Sequence, residues 1–207
     1  MLRTTERAVG RKVIGVDFDD VVVNTSEMLR RFHNQYYGTE HQFNDLSTYR
    51  LDKFWGCSTE EMFVRIDSFY KSSQHRSIPL IEGAFTALER LSLQHTLVLV
   101  TARPESLRAC TEQLLGHHVP GFFSQLHFIG HPHDHRPTHR AKKTKGDICE
   151  ELGVDVFIED APENAFSIAS KSIQVLLLDK PWNKEVRASY VRRVYNWDEV
   201  LKEIAIQ

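Results

Sequence analysis

The sequence predicts an α/β protein with a doubly wound parallel sheet and a small helical insertion after the first strand. Apolar, strand-like runs alternate with helical patterns over most of the 207 residues, as in sheets whose parallel strands are joined by crossover helices. From about residue 24 to residue 80 the alternation stops, and helical patterns rich in aromatic residues replace it. Acidic and hydroxyl side chains follow several of the apolar runs, at the sheet edge where open α/β proteins bind ligands.

The individual elements follow from apolar runs and from helical periodicity. Strands are predicted at Lys12–Phe18, Thr96–Thr101, Leu126–Ile129, Asp155–Ile158 and Ile173–Leu178. Helices of the core are predicted at Glu105–Leu115, Thr144–Leu152, Asn164–Lys171 and about Asp198–Ile204. The insertion has helical patterns at Glu27–Tyr37 and Thr59–Tyr70. Its aromatic residues could line a pocket for a flat ligand, but we interpret most of them as the core of a small subdomain.

These elements divide the chain into three parts. Residues 1–11 are predicted to be a basic tail, residues 12–23 and 81–207 the α/β core, and residues 24–80 the helical insertion. The tail lacks the apolar segment of a secretory signal. A short mitochondrial presequence is the alternative to a frayed tail, and we favour the tail.

Composition limits the classes of partner. The formal net charge of −2 gives no reason to expect nucleic-acid binding, and no apolar run approaches the roughly 20 residues that span a bilayer. The three cysteines are widely spaced and form neither a zinc pattern nor a disulfide framework, which favours a reducing compartment. We therefore expect a cytoplasmic protein, without nucleic-acid or membrane partners, that is a monomer or a homodimer.

The first strand ends on two carboxylates, Asp17 and Asp19, within the run KVIGVDFDDVVVNT. Side chains two residues apart on a strand point the same way, so both can reach one ligand. Together they could hold a hard cation, or one could attack a phosphorus atom while the other moves a proton. The alternative is a surface turn, since paired aspartates often follow a strand.

Three further strand ends carry polar groups. Thr101, in LVLVTARPE, could bind a phosphate oxygen or simply cap the next helix. Lys145 stands at a helix start, where a cation opposes the helix dipole, and this hints at a bound anion unless the lysine is merely solvated. Glu159 and Asp160, in VFIEDAPEN, add a second pair of acids, enough in total for a Mg²⁺ that keeps several waters.

These motifs, in this order, resemble those of the haloacid dehalogenase superfamily of phosphotransferases. Within it, the chain is most similar to the cytosolic 5′(3′)-deoxyribonucleotidases (cytosolic 5′-nucleotidase type C), given the small helical cap, the TARP turn and the segments DKPWN and RVYNWDEV. The resemblance implies a doubly wound core and a cap inserted after the first strand. Asp20 departs from the commonest first motif, which has glycine there, and it could lie outside the metal shell or only adjust the turn.

The resemblance also implies the role of each residue. Asp17 would be the nucleophile that forms an aspartyl-phosphate, and Asp19 the general acid and then the general base. Mg²⁺ would be held by Asp17, Asp160 and the backbone carbonyl of Asp19, with Glu159 in reach of a metal-bound water. We expect the crowded acidic site to raise the pKa of Asp19.

Substrate binding is assigned in the same way, as an implication of the resemblance. The phosphoryl oxygens would be held by Thr101, the N–H of Ala102 and Lys145, with Thr101 and Lys145 counted in the catalytic set. Arg103 could reach a phosphate or pair with an acid.

The sequence is thus interpreted as that of a Mg²⁺-dependent phosphatase acting on a small phosphomonoester, with a nucleoside or deoxynucleoside monophosphate as the leading substrate. A sugar phosphate or another small metabolite is the alternative, because substrate choice lies in the cap. A non-catalytic binding protein that keeps this fold is the second alternative. The segment GHPHDHRPTHR, residues 130–140, could bind zinc or grip substrate through Arg136 or Arg140, and we favour a polar loop.

Overall fold

A computed structural model describes residues 10–48, 50–130 and 143–206. Predictions for the basic tail before residue 10, for Tyr49 and for nearly all of the histidine-rich segment lie outside these residues. Within the described ranges, no helix is both long and apolar enough to cross a membrane.

Six parallel strands form the sheet of the described structure, in the order β3-β2-β1-β4-β5-β6. They are β1 (Val13–Val16), β2 (Thr96–Thr101), β3 (Phe123–Phe128), β4 (Val156–Glu159), β5 (Gln174–Leu178) and β6 (Val191–Val194). The order reverses between β1 and β4, so the fold is the predicted doubly wound α/β type, with its switch point where the two acidic motifs end.

Helices precede or follow each strand and supply the insertion. They are α1 (Thr25–Tyr37), α2 (Leu51–Trp55), α3 (Thr59–Tyr70), α4 (Ser73–Arg76), α5 (Ala84–Gln94), α6 (Arg108–His118), α7 (Lys145–Leu152), α8 (Pro162–Ala169) and α9 (Trp197–Ile206). The first four lie between β1 and α5, within the segment predicted to be the cap. We keep residues 24–80 as the proposed cap.

Two elements of the core, β6 and α5, are additional to those predicted, and so are the short helices α2 and α4 of the insertion. The strand β6 has the sequence VRRV, in which two valines flank Arg192 and Arg193. A strand with so few apolar residues is tolerated because it lies at the edge of the sheet. The helix α5 buries one face at spacings of three and four residues, a pattern present in the sequence. The strand β3 also begins three residues earlier than predicted, at Phe123.

Apolar side chains cover both faces of the sheet. One face packs against α5 and α9 through Ile14, Val16, Leu97, Leu99, Ile158, Leu88, Leu91, Val200 and Ile204. The other packs against α7 and α8 through Val98, Val100, Phe157, Val175, Leu177, Cys149, Ala165 and Ile168. Because strands buried on both sides are held by both layers, the strand ends are fixed in position.

The helices α7 and α8 pack unusually close together at Gly146. A Cβ atom at Gly146 would lie 2.3 Å from the backbone oxygen of Ser167, so only glycine fits this contact. Thr144 caps α7 with its hydroxyl, which accepts a hydrogen bond from the N–H of Asp147 at 3.1 Å. The hydrogen bond from Asp147 to Thr144 and the close contact at Gly146 together fix the position of Lys145, the first residue of α7.

Candidate active site

Three buried carboxylates meet at the switch point. Asp17 follows β1, Glu159 ends β4 and Asp160 comes next, and each offers an oxygen within 4.8 Å of the others. The register explains this convergence: Val16 pairs with Ile158, and the N–H of Asp17 donates to the carbonyl oxygen of Ile158 at 3.0 Å. The structure therefore brings together acids that lie more than 140 positions apart in the chain.

Lys145 supplies the positive charge in this cluster. Its Nζ lies 2.7 Å from Asp17 Oδ1 and 2.8 Å from Glu159 Oε2, and its side chain is fully buried. Burial alone would lower the pKa of Lys145, but the two carboxylates outweigh burial and raise that pKa above its ordinary value. Lys145 is therefore a fixed cation, and the solvated alternative is excluded.

Glu159 differs from the other two acids because protein donors already occupy both of its oxygens. Lys145 binds Oε2, and the N–H groups of Asp160 and Ala161 donate to Oε1 at 3.1 and 3.0 Å. Its carboxylate closes the turn after β4 and does not line the cleft above, whereas Asp17 and Asp160 do. Asp17 and Asp160 are thus the side chains best placed to reach a metal ion.

The charge balance of the cluster suits a divalent cation. Burial, followed by the neighbouring Glu159 charge, raises the pKa of both Asp17 and Asp160 well above the ordinary range. Three carboxylates with one lysine leave an excess of negative charge that is costly away from water. All available donor atoms are oxygens, the ligands that Mg²⁺ prefers, so the residues fit this ion.

Two residues of the DKPWN segment orient Asp160. The indole N–H of Trp182 donates to Asp160 Oδ2 at 3.0 Å, and Asn183 Nδ2 donates to the Asp160 backbone oxygen at 2.8 Å. Outer contacts of this kind fix how a ligand carboxylate presents its oxygens. Our sequence interpretation used this segment only as a family resemblance and did not assign Trp182 or Asn183 to the site.

Asp19 is not part of the acid cluster and pairs with an arginine instead. Its carboxylate accepts hydrogen bonds from Arg103 Nε at 2.9 Å and Arg103 Nη2 at 2.7 Å, and from the Thr25 hydroxyl at 2.5 Å. Burial raises its pKa, but Arg103 and Thr25 outweigh burial and leave the pKa below its ordinary value. The expectation of a raised pKa was wrong, because the neighbour that decides it is a guanidinium and not another acid.

Asp20 begins the connection to the cap. Its backbone is left-handed, with φ of 59°, and its carboxylate accepts hydrogen bonds from the N–H of Ser26 at 2.9 Å and from the Ser26 hydroxyl at 2.5 Å. Burial raises its pKa to about 6. An aspartate occupies a position that usually favours glycine because its side chain fastens the first turn of α1.

The remaining predicted site residues lie at the end of β2. The Thr101 hydroxyl is buried and accepts a hydrogen bond from the N–H of Arg103 at 3.1 Å, while Ala102 lines the cleft. Of the two alternatives for Arg103, the structure shows the pairing with an acid. Thr101 and Ala102 therefore lie at the carboxyl-terminal end of β2, the strand next to β1, and Asp17 follows the end of β1.

A cleft with a cavity volume of about 160 Å³ lies between these residues and the cap. Its cap side is mostly apolar and is formed by Leu29, Leu46, Leu51, Met62, Phe63, Ile66 and Tyr70, with the polar residues Thr25, Ser26, Thr48, Arg50, Thr59 and Asp67 beside them. Among the described aromatic residues of the cap, Phe63 and Tyr70 reach the cleft, whereas Phe32 and Phe69 are buried in the core. The other lining residues carry no motif by which the sequence could have identified them.

Comparison with known proteins agrees with the fold and the motifs. The family model described as 5′ nucleotidase, deoxy (Pyrimidine), cytosolic type C protein matches residues 11–207. A nucleotidase of Clostridium acetobutylicum is 29% identical over 168 residues, covering 81% of this chain and 80% of its own.

Solved structures share the fold at lower sequence identity. A haloacid dehalogenase-like family hydrolase from Streptococcus pneumoniae has a TM-score of 0.68 at 14% identity, covering 95% of this chain and 99% of its own. A haloacid dehalogenase-type hydrolase from Bacillus subtilis, solved bound to magnesium, has a TM-score of 0.60 at 13% identity, covering 94% and 98%. At these identities the likeness concerns the fold alone.

Proposed function

This chain belongs to the family of 5′ nucleotidase, deoxy (Pyrimidine), cytosolic type C proteins, and from that premise we propose that it hydrolyses a nucleoside or deoxynucleoside monophosphate through a phosphorylated Asp17. It is a phosphatase of the haloacid dehalogenase superfamily. The observation that carries the proposal is the convergence of Asp17 and Asp160 on the floor of a cleft whose opposite wall is mostly apolar, with the buried Lys145 paired to Asp17. We also propose that it works in the cytoplasm.

The first step uses Asp17 as the nucleophile. Its free oxygen forms a bond to phosphorus while the bond to the leaving oxygen breaks, and Asp19 gives its proton to that oxygen. Asp19 must first bind a proton, which the arrival of a phosphate dianion beside the acids favours by raising its pKa. Lys145 keeps Asp17 in position and offsets charge on the phosphoryl group, whose oxygens are held by Thr101 and the N–H of Ala102.

The second step returns the enzyme to its starting state. Asp19 takes a proton from a water molecule, the water oxygen attacks the phosphorus of the aspartyl-phosphate, and inorganic phosphate leaves Asp17. Mg²⁺, held by Asp17, Asp160 and the Asp19 backbone carbonyl, would supply positive charge that offsets the phosphoryl oxygens. Each half-reaction thus needs Asp19 in the same place but in opposite protonation states.

The cleft favours a nucleotide over a sugar phosphate. Seven apolar or aromatic side chains of the proposed cap line the cleft opposite the acids. A flat base loses little by leaving water for such a wall, whereas a sugar ring would place hydroxyl groups against its apolar side chains. A small metabolite with an apolar body is the remaining alternative.

A phosphate-release screen of nucleotides, sugar phosphates and p-nitrophenyl phosphate, with and without Mg²⁺, tests the proposal. We expect Mg²⁺-dependent release, with nucleoside monophosphates ranked above sugar phosphates, and complete loss of turnover in Asp17→Asn without loss of folding. Near-wild-type activity in that variant would exclude Asp17 as the nucleophile. Absence of metal-dependent release from any substrate would favour a binding protein.

A further inference from the structure

We propose that Arg103 is a positioning residue that holds the Asp19 carboxylate for proton transfer to the leaving group, and that His75 of the cap and Thr111 of α6 hold Arg103. This inference rests on the proposed function, in which Asp19 is the proton donor. It replaces a role for Arg103 as a phosphate ligand, and it connects the cap to the reaction.

The pairing of Arg103 with Asp19 has the geometry of a locked carboxylate. Two parallel hydrogen bonds, Nε to Oδ2 and Nη2 to Oδ1, fix both the position and the plane of the carboxyl group. Arg103 is only 2% exposed, although Asp19 keeps 27% of its side chain open to the cleft. A turn of the guanidinium toward a phosphoryl group would break this pair and leave the Asp19 carboxylate without its counter-charge.

Further contacts hold the guanidinium on its other side. Nη1 donates to the Thr111 hydroxyl at 3.0 Å and lies 3.2 Å from His75 Nε2, and the group stacks over the Phe18 ring at 4.5 Å from its centroid. The Thr111 hydroxyl in turn donates to the carbonyl oxygen of Leu107 at 2.9 Å. Arg103 is therefore fixed by neighbours from the segment that follows β1, from α4 and from α6.

His75 accepts a hydrogen bond from Arg103, although burying this histidine costs folding free energy. Because Arg103 can only donate, Nε2 of His75 accepts and the proton resides on Nδ1. His75 is fully buried, and among the described residues its Nδ1 has no hydrogen-bond partner. A buried unpaired donor costs about 1–3 kcal/mol, so packing alone would favour an apolar residue at this position.

Both ends of the cap reach the Asp19–Arg103 pair. Thr25, the first residue of α1, donates to Asp19, and His75, in the last cap helix α4, contacts Arg103. The orientation of the proton donor is thus set by the two segments that join the cap to the core. A cap that shifts on these segments would change the placement of Asp19.

The dependence of kcat/KM on the leaving group tests the proposal. A proton donor matters little for p-nitrophenol and increasingly for phenols and alcohols that are weaker acids. We expect Arg103→Met to lose less than about 10-fold with p-nitrophenyl phosphate but about 10²-fold or more with a nucleoside monophosphate, the scale of general acid catalysis. Inhibition by inorganic phosphate should keep its wild-type strength.

A phosphate ligand would behave differently. If Arg103 binds the phosphoryl group, the loss will be equal for all leaving groups and inhibition by phosphate will weaken, and that result overturns the proposal. The proposed function fails separately, if Asp17→Asn or removal of Mg²⁺ leaves wild-type hydrolysis unchanged. Arg108→Met is the matched control, because Arg108 is a partly exposed arginine of α6 paired with Glu105, and we expect no change.

Milder variants test the supporting contacts and keep the test valid should Arg103→Met not fold. Thr111→Val keeps the shape and removes one acceptor, and we expect a loss of about 3-fold to 10-fold with the nucleotide and none with p-nitrophenyl phosphate. His75→Leu should show the same pattern, and His75→Gln, which keeps an acceptor, should recover activity toward the nucleotide. Equal losses for both substrates in Thr111→Val and His75→Leu would contradict the proposal.

Discussion

Replacement of Gly146 by alanine tests whether the close contact of α7 and α8 positions Lys145. The new Cβ would lie 2.3 Å from Ser167 O, whereas ordinary contacts begin at 3.4 Å, so α7 must move by about 1 Å. The backbone oxygen cannot turn aside as a flexible side chain could. Overpacking of this kind costs about 1–3 kcal/mol of unfolding free energy.

The same shift acts on catalysis, because Lys145 is the preceding residue. Its Nζ lies 2.7 Å from Asp17 Oδ1, and a displacement of about 1 Å would take this contact out of hydrogen-bond range. A misplacement of that size can reduce kcat by about 10²-fold. We would measure unfolding in urea, and kcat with p-nitrophenyl phosphate and Mg²⁺.

Gly116→Ala is the matched control for this substitution. Gly116 lies within α6, its φ is not positive, and a Cβ there meets nothing within 4 Å, so alanine should add about 0.5–1 kcal/mol of stability and leave kcat unchanged. If the two alanine variants had equal stability and equal kcat, the proposed dependence of Lys145 on helix packing would be refuted.

Three further predictions concern single side chains. Lys145→Met leaves buried acids unpaired and should lower the unfolding free energy in metal-free buffer by about 3–5 kcal/mol, measured by urea denaturation; an unchanged value would contradict its buried pairing. Trp182→Phe removes the donor to Asp160 and should raise the Mg²⁺ concentration for half-maximal activity about 10-fold to 100-fold; an unaltered metal titration would exclude this support. Burial and the Arg65 guanidinium lower the pKa of His33 to about 4, so as pH falls from about 6.5 to 4 the unfolded chain binds a proton that the folded one does not. Stability should therefore fall as the pH is lowered over that range, and the same pH series on His33→Gln should show a shallower slope.

Much of the fold could be predicted because its signals are local. Buried parallel strands are short apolar runs, and helices carry their periodicity and caps within a few residues, as at Thr144 and Asp147. The strand β6 was not predicted because an edge strand needs no continuous apolar run. The acids at the ends of β1 and β4 were recognised since charge directly after a buried strand is unusual.

The partners of those acids could not be predicted, since they come from distant parts of the chain. Arg103 is 84 positions from Asp19, and no local pattern distinguishes an arginine that binds phosphate from one that holds a carboxylate. The same holds for Trp182, which lies 22 positions from Asp160.

The sequence by itself determined which chemical groups are available: two acidic motifs, a hydroxyl and a lysine at strand ends, in an order typical of one superfamily. Only the tertiary structure decided how each side chain is used, and it turned Asp19 toward Arg103, closed Glu159 onto its own turn and left Asp17 and Asp160 facing the cleft. The physical reason is that the orientation and charge of a buried group depend on the neighbours that packing brings within about 3 Å, and those neighbours are set by the fold as a whole.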